Sequence, residues 1–223
     1  MKKWTLLPIG LLLAIATAFS QQKATTETGR KVILHSNGTW SYADSTPVRT
    51  TKTVEAGIFE IPRIDKDDIV ITHTGYSLLY NEPHEQASWV AYPLTKEKTN
   101  KLFDRTDKFV PDPNVKTGSA TDADYAGSGY DRGHLAPAAD MGWSQASMSE
   151  SFYYSNMSPQ VQSFNRGIWK KLEEQVRTWA IENNSIYIVT GPVLKPGLPT
   201  IGPNKVSVPE QYYKVILDYN EPE

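Results

Sequence analysis

The clearest periodic signal in this chain is helical, and it lies between short β-rich runs. Within residues 165–182, Ile168, Leu172, Val176 and Trp179 recur at spacings of four and three, which sets one apolar stripe on a helix. A single amphipathic helix needs a surface to cover, and the runs on either side supply one. Residues 69–80 and 87–94 flank Asn81-Glu82-Pro83-His84, the composition of two antiparallel strands with a longer hairpin loop. Residues 186–190 read as a buried strand ended by Gly191-Pro192, and residues 212–217 as another. The class expected is α+β. Residues 111–129, with two prolines, three glycines and no period, read as a long surface loop.

The chain has 223 residues, 39% hydrophobic and 22% charged, which suits one medium domain with extra N-terminal material. It contains no cysteine, so disulfides and thiolate metal sites are excluded and stability must come from the core. Lys2 and Lys3 precede an apolar run that ends at Ala18-Phe19-Ser20, the pattern of a secretory signal peptide over residues 1–20. With no cysteine for lipid attachment and a run shorter than a spanning helix needs, no stable membrane anchor is expected, and the location is secreted or periplasmic. Residues 21–50 read as a small β-hairpin module, with strands around Ser36-Asn37-Gly38, followed by a Thr-rich linker. Residues 51–223 form the main domain. The chain stops six residues after Leu217, which reads as a truncated C-terminus.

The formal net charge is −2, and loss of residues 1–20 leaves 21 basic against 25 acidic residues, or −4. That is not the basic balance of a protein that holds nucleic acid through many phosphate contacts. An enzyme that releases its product needs only a local basic patch.

Asp131-Arg132-Gly133-His134 is followed 31 residues later by Asn165, and then by Glu173 and Arg177 on one side of the helix. Cutting a phosphodiester requires a base for water, a cation for charge building on phosphate, and positive side chains to hold the substrate. His134 suits the first role because an imidazole accepts a proton near neutral pH. His35, His73 and His84 have no partner at ligand spacing and read as structural. Asn165, Trp169, Glu173 and Arg177 drift across an arc beside the apolar stripe and can line a cleft. Asn165 also suits a helix cap. Glu173 lies eight residues beyond Asn165, roughly 12 Å along a helix, too far for both to bind one ion directly without strain. Arg132 fits either substrate contact or bracing of its loop, and Lys170 and Lys171 a solvated face. Phe152, Tyr153 and Tyr154 suit a core better than a base-stacking platform.

The segments 129–138, 155–160 and 165–173 together resemble the DNA/RNA non-specific endonuclease family, across roughly residues 65–219. The resemblance implies a ββα-metal (His-Me finger) core with a central antiparallel sheet and flanking helices, the histidine on a hairpin and the metal-binding asparagine on a helix. It implies that His134 is the general base, that Asn165 is the one direct protein ligand to Mg²⁺, with Mn²⁺ as a substitute, and that Glu173 acts through water. Arg105 and Arg177 match phosphate-contacting arginines, Asn156 a residue supporting the site's hydrogen bonds, and Asp131 one that orients the motif. The expected substrates are DNA and RNA, single- or double-stranded, cut to leave 5′-phosphates. The rival reading is an inactive nuclease-like domain that binds nucleic acid or a surface partner. A zinc site of HNH type lacks the extra His or Cys ligands it needs.

Overall fold

The computed structural model describes residues 22–25, 31–34, 40–42, 61–66 and 68–218. The chain divides into two compact units, Met1–Thr53 and Val54–Glu223. The signal-peptide segment, the Asn-Gly turn, His35 and the linker lie outside the described residues.

In the first unit, β2 (Lys31–Leu34) pairs antiparallel with β3 (Trp40–Tyr42), as the strand composition indicates. The polar segment before them adds a third strand, β1 (Gln22–Thr25), antiparallel to the other edge of β2. Sequence pattern gives no sign of β1, because an edge strand can be held by backbone pairing alone without apolar alternation.

The second unit is built on a five-stranded antiparallel sheet in the order β12-β9-β6-β5-β4. Its strands are β4 (Val70–Thr72), β5 (Ser77–Asn81), β6 (Gln86–Thr95), β9 (Ser185–Pro192) and β12 (Tyr212–Leu217). The run at 69–80 is thus two strands rather than one. The chain reverses at His73–Tyr76, where the His73 N–H donates to the Tyr76 carbonyl at 2.8 Å. Central β6 is buried along nearly its whole length, as expected for a strand covered on both faces. On one face Val90, Tyr92 and Leu94 meet Ile186 and Ile188 of β9 and the helix α4 (Lys170–Glu182), which contributes Val176 and Ala180. Leu172 and Trp179 pack at the margin of the same cluster.

Three of the four stripe residues therefore face the core, but Ile168 does not: it is 65% exposed and Trp169 is 4% exposed. The cause is local. α3 (Gln162–Phe164) runs into a π-turn at Asn165–Trp169, and Gly167 leaves helical geometry there, with φ −103° and ψ −110°. An extra residue in the turn rotates the following positions by about 100°, which exchanges Ile168 for Trp169 on the inner side.

A separate two-stranded sheet pairs β7 (Asp131–His134) with β8 (Met157–Gln160), and with the helix it completes the ββα unit. The short helix α1 (Asp122–Tyr125) precedes β7, a second, α2 (Gln145–Glu150), lies in the connection between β7 and β8, and β10 (Thr200–Ile201) pairs with β11 (Val206–Ser207). The loop at 111–129 is only partly a surface loop. Asp112, Val115, Ser119, Ala120, Asp124 and Tyr125 are buried, because Asp124 is gripped by the backbone and side-chain amides of Asn204 at 2.8 and 2.9 Å. Buried backbone polar groups demand partners, and this loop finds them in α1 and the β10–β11 turn.

Candidate active site

The hairpin places His134 at the end of β7 with its ring against Phe152, 5.0 Å between centroids at an interplanar angle of 87°, and 5.9 Å from Phe109. Its close approach to β8 depends on Gly133, where a Cβ would come within 2.2–2.5 Å of the Gln160 side chain. Behind His134 the chain is clamped by Asn156. The amide oxygen accepts from the Ala136 N–H at 2.8 Å, and its nitrogen donates to the Ala136 and Ser151 carbonyls at 2.9 and 2.8 Å. Asn156 is fully buried, so its effect on the site passes through the backbone that carries His134.

His134 is 9% exposed, and its Nε2 has no hydrogen-bond partner among the described residues. Burial, with smaller contributions from the Arg105 and Arg132 cations, pushes the imidazole down from its ordinary value near 6.5 to about 3. The ring is neutral at physiological pH. Arg105 sits in a loop tied down by the Leu102 and Phe103 N–H groups, which donate to the Gly142 carbonyl, and its guanidinium lies 4.9 Å from the Phe152 ring centroid. Arg132 lies 4.0 Å over Phe109 and donates to Asp122 at 2.7 Å. Two arginines thus bracket the aromatic wall on which His134 rests.

Asp131 connects the hairpin to the helix. Its carboxylate accepts from Asn165 Nδ2 at 2.9 Å and takes both Arg166 Nε and Nη2, at 2.8 and 2.6 Å. The Arg166 guanidinium, more than any other neighbour, holds the Asp131 carboxyl below its usual range. Asn165 lies inside the helical run, its backbone N–H bonded to the Val161 carbonyl at 2.9 Å, so it does not cap the helix. With Nδ2 committed to Asp131, the amide is fixed with Oδ1 as its acceptor, a neutral hard oxygen of the kind Mg²⁺ accepts. Among the described residues no group of three or more His, Asp or Glu side chains is gathered to hold a metal. A cation here would rely on few protein ligands, as the Asn165 carbonyl oxygen suggests.

Further along α4 lies a second cluster. Arg177 donates to Asp140 at 2.8 Å, and the other oxygen of that buried carboxylate accepts from Tyr92 at 2.8 Å. Burial raises the Glu173 carboxyl, opposed by the Lys214 ammonium, while burial lowers Lys214. Lys214 donates to Thr190 at 2.5 Å and lies 5.0 Å over the Trp169 ring.

Residues 59–223 match the DNA/RNA non-specific endonuclease family. The chain belongs to this family. Members of the family use a divalent metal. Human mitochondrial endonuclease G is 38% identical over 154 residues, covering 64% of this chain and 52% of that protein. Nuclease C1 of Cunninghamella echinulata var. echinulata is 42% identical over 156 residues, covering 64% and 62%. A nuclease of Nostoc sp. is 34% identical over 162 residues, covering 72% and 58%. The chain spans about half the length of the curated relatives it matches. A crystal structure of the EndoG/EndoGI complex, described as addressing EndoG inhibition, superposes with a TM-score of 0.62 at 37% identity over 67% of each chain.

In this family member the structure joins Asp131 directly to Asn165, and sets His134 among Arg105, Arg132 and two aromatic rings. Glu173 and Arg177 belong to the adjoining buried cluster, and Arg177 is held by Asp140 rather than by Glu173. His73 and His84 are structural, bonded to Asp112 and Ser207 at 2.8 Å each. Phe152 and Tyr154 are core residues. Lys170 and Lys171 are exposed. Sequence reasoning missed Arg166, Asp140, Tyr92 and Lys214. Only Arg166, next to the metal-binding candidate, carried a local signal; the others meet the site through contacts 24 to 48 residues apart along the chain.

Proposed function

We propose that this protein is an exported endonuclease that hydrolyses phosphodiester bonds of DNA and RNA with Mg²⁺, for which Mn²⁺ can substitute. The observation that carries this reading is a buried, neutral His134 whose Nε2 is unpartnered, set between two arginines on the hairpin that Asp131 ties to Asn165. A general base must begin deprotonated, and burial keeps this imidazole neutral.

His134 takes the proton of the attacking water. Arg105 and Arg132 hold the phosphate, and its negative charge offsets the two cations that depress His134, so the imidazole gains basicity as substrate arrives. Asn165 would hold the divalent ion through Oδ1, with Glu173 acting through water; when bound, the ion neutralises charge on the phosphate and the leaving 3′ oxygen. Asp131 keeps the Asn165 amide from turning over. Arg177, braced by Asp140, adds fixed positive charge at the helix. Contacts of this kind address the backbone and carry no base information, which supports action on both DNA and RNA, and departure of the 3′ oxygen leaves the phosphate on the 5′ end. The charged, apolar N-terminal run supports export.

Plasmid nicking with Mg²⁺ and with EDTA, repeated on an RNA transcript, tests the proposal. Nicked circles and degraded RNA are expected with Mg²⁺ and neither with EDTA. Binding without cleavage in any divalent ion would establish the inactive-binder reading instead.

A further inference from the structure

The side chain hydrogen-bonded to Asn165 is a carboxylate, a group that hard divalent cations bind readily, yet both of its oxygens are occupied. Arg166 Nε donates to Asp131 Oδ2 at 2.8 Å and Arg166 Nη2 to Oδ1 at 2.6 Å, a two-pronged grip, while Asn165 Nδ2 shares Oδ2 at 2.9 Å. We propose that Arg166 is a stopper on Asp131: by occupying the carboxylate it keeps Asp131 off the ion at Asn165, and so holds the site's cation affinity low and its preference towards Mg²⁺ over Ca²⁺. The inference rests on the reading of Asn165 as the metal ligand.

Three observations carry it. The first is position: Asp131 meets Asn165 from the facing hairpin, so its carboxylate stands beside the amide whose oxygen suits a hard cation. The second is the local backbone. Successive side chains on a regular helix diverge by about 100°. Asn165 and Arg166 instead converge on one carboxylate, at the π-turn where Gly167 leaves helical geometry. The third is charge and exposure. Arg132, next to Asp131 along the chain, donates to Asp122 at 2.7 Å, so Arg166 is the cation in contact with Asp131 among the described residues. The Arg166 side chain is 66% exposed against 13% for Asp131, so it covers the carboxylate from the solvent side and its removal opens no cavity in the core. With the stopper in place a neutral amide leaves the charge on an ion undiminished. A freed carboxylate would add a negative ligand, and Ca²⁺ gains more from one than Mg²⁺ does. Ca²⁺ takes roughly six to eight oxygens and accepts both oxygens of one carboxylate, whereas Mg²⁺ demands near-octahedral geometry and keeps its waters.

The test titrates the full chain, stripped of metal and without nucleic acid, with Mn²⁺ while free Mn²⁺ is read by electron paramagnetic resonance, and then displaces the Mn²⁺ with Ca²⁺ or Mg²⁺. Salt of about 0.3 M screens the long-range field of an exposed arginine, so a change in affinity reports contact. Arg166→Ala should bind Mn²⁺ at least about tenfold more tightly than wild type, the scale on which partners of a ligand alter metal affinity, and the gain should be larger for Ca²⁺ than for Mg²⁺. In an Asp131→Asn background the amide still accepts from Asn165 but no carboxylate remains, and there Arg166→Ala should gain less than about threefold. Unchanged affinity in Arg166→Ala, or an equal gain in both backgrounds, would overturn the inference, and equal gains for Ca²⁺ and Mg²⁺ would overturn the selectivity it assigns. Plasmid nicking by wild type from the same preparation reports the nuclease reading separately. Tightened metal binding in Arg166→Ala without nicking by wild type would sustain the role of Arg166 and count against the nuclease; nicking with unchanged metal affinity would do the reverse.

Discussion

Lowering pH should destabilise this protein through His134 itself. Its imidazole is held down to about 3 in the folded chain, against about 6.5 when unfolded. Between those values the unfolded chain binds a proton that the folded chain refuses, so stability is full above about pH 6.5 and is lost progressively as pH falls towards about 3. From about pH 7.5 to about pH 4.5 the integrated loss is about 2.5 kcal/mol, at roughly 1.4 kcal/mol per unit below 6.5. His134→Asn removes the titration while keeping a polar side chain of similar size. Other carboxylates and histidines contribute alike to both proteins, so the informative quantity is the difference between the two pH dependences. Urea unfolding followed by circular dichroism at both pH values should show wild type losing about 2.5 kcal/mol more than the variant. Equal losses would mean that His134 is not a buried neutral base, and the argument for its role would lose its electrostatic half.

His134→Ala should lower turnover by ~10² to 10⁴ while filter binding of DNA is nearly unchanged; near-normal cleavage would remove it from the mechanism. Asp131→Ala should raise the Mg²⁺ concentration needed for half-maximal activity, because Asn165 loses the contact that fixes its amide; an unchanged metal titration would show that Asn165 needs no such hold. Gly133→Ala should cost about 1–3 kcal/mol by driving a methyl group into Gln160, and the added change Gln160→Ala should recover part of that loss in urea unfolding. His73→Phe should destabilise by about 3 kcal/mol, since it strands the buried Asp112 carboxylate; a smaller loss would indicate that Ser155 and the Asn114 N–H suffice for it. Cleavage of both DNA and RNA should slow as salt rises, and a strict requirement for one base sequence or for a 2′-hydroxyl would defeat backbone recognition.

The α+β class, β6, β9, β12 and the helix were legible because each depends on local pattern: β-branched runs bounded by Gly and Pro, or an apolar repeat of three and four. His134 and Asn165 were singled out through the Asp131–His134 motif and the family resemblance, and the structure brings Asp131 and Asn165 together. The rest depended on the path of the chain in space. Nothing in a string of residues announces that Gly167 breaks the helical phase, so Trp169 replaced Ile168 in the core. Nor could composition show that Asp112, Val115, Ser119, Ala120, Asp124 and Tyr125 of the 111–129 loop are buried, Asp124 being satisfied by Asn204, 80 residues away. The same holds for Arg177, whose carboxylate partner is Asp140 on another element rather than Glu173 one turn earlier. Sequence determined which side chains could do the chemistry, because that is a property of each residue. Tertiary structure decided their charge state and hold, because burial of His134 and the bond from Asn165 to Asp131 exist only once hairpin and helix meet.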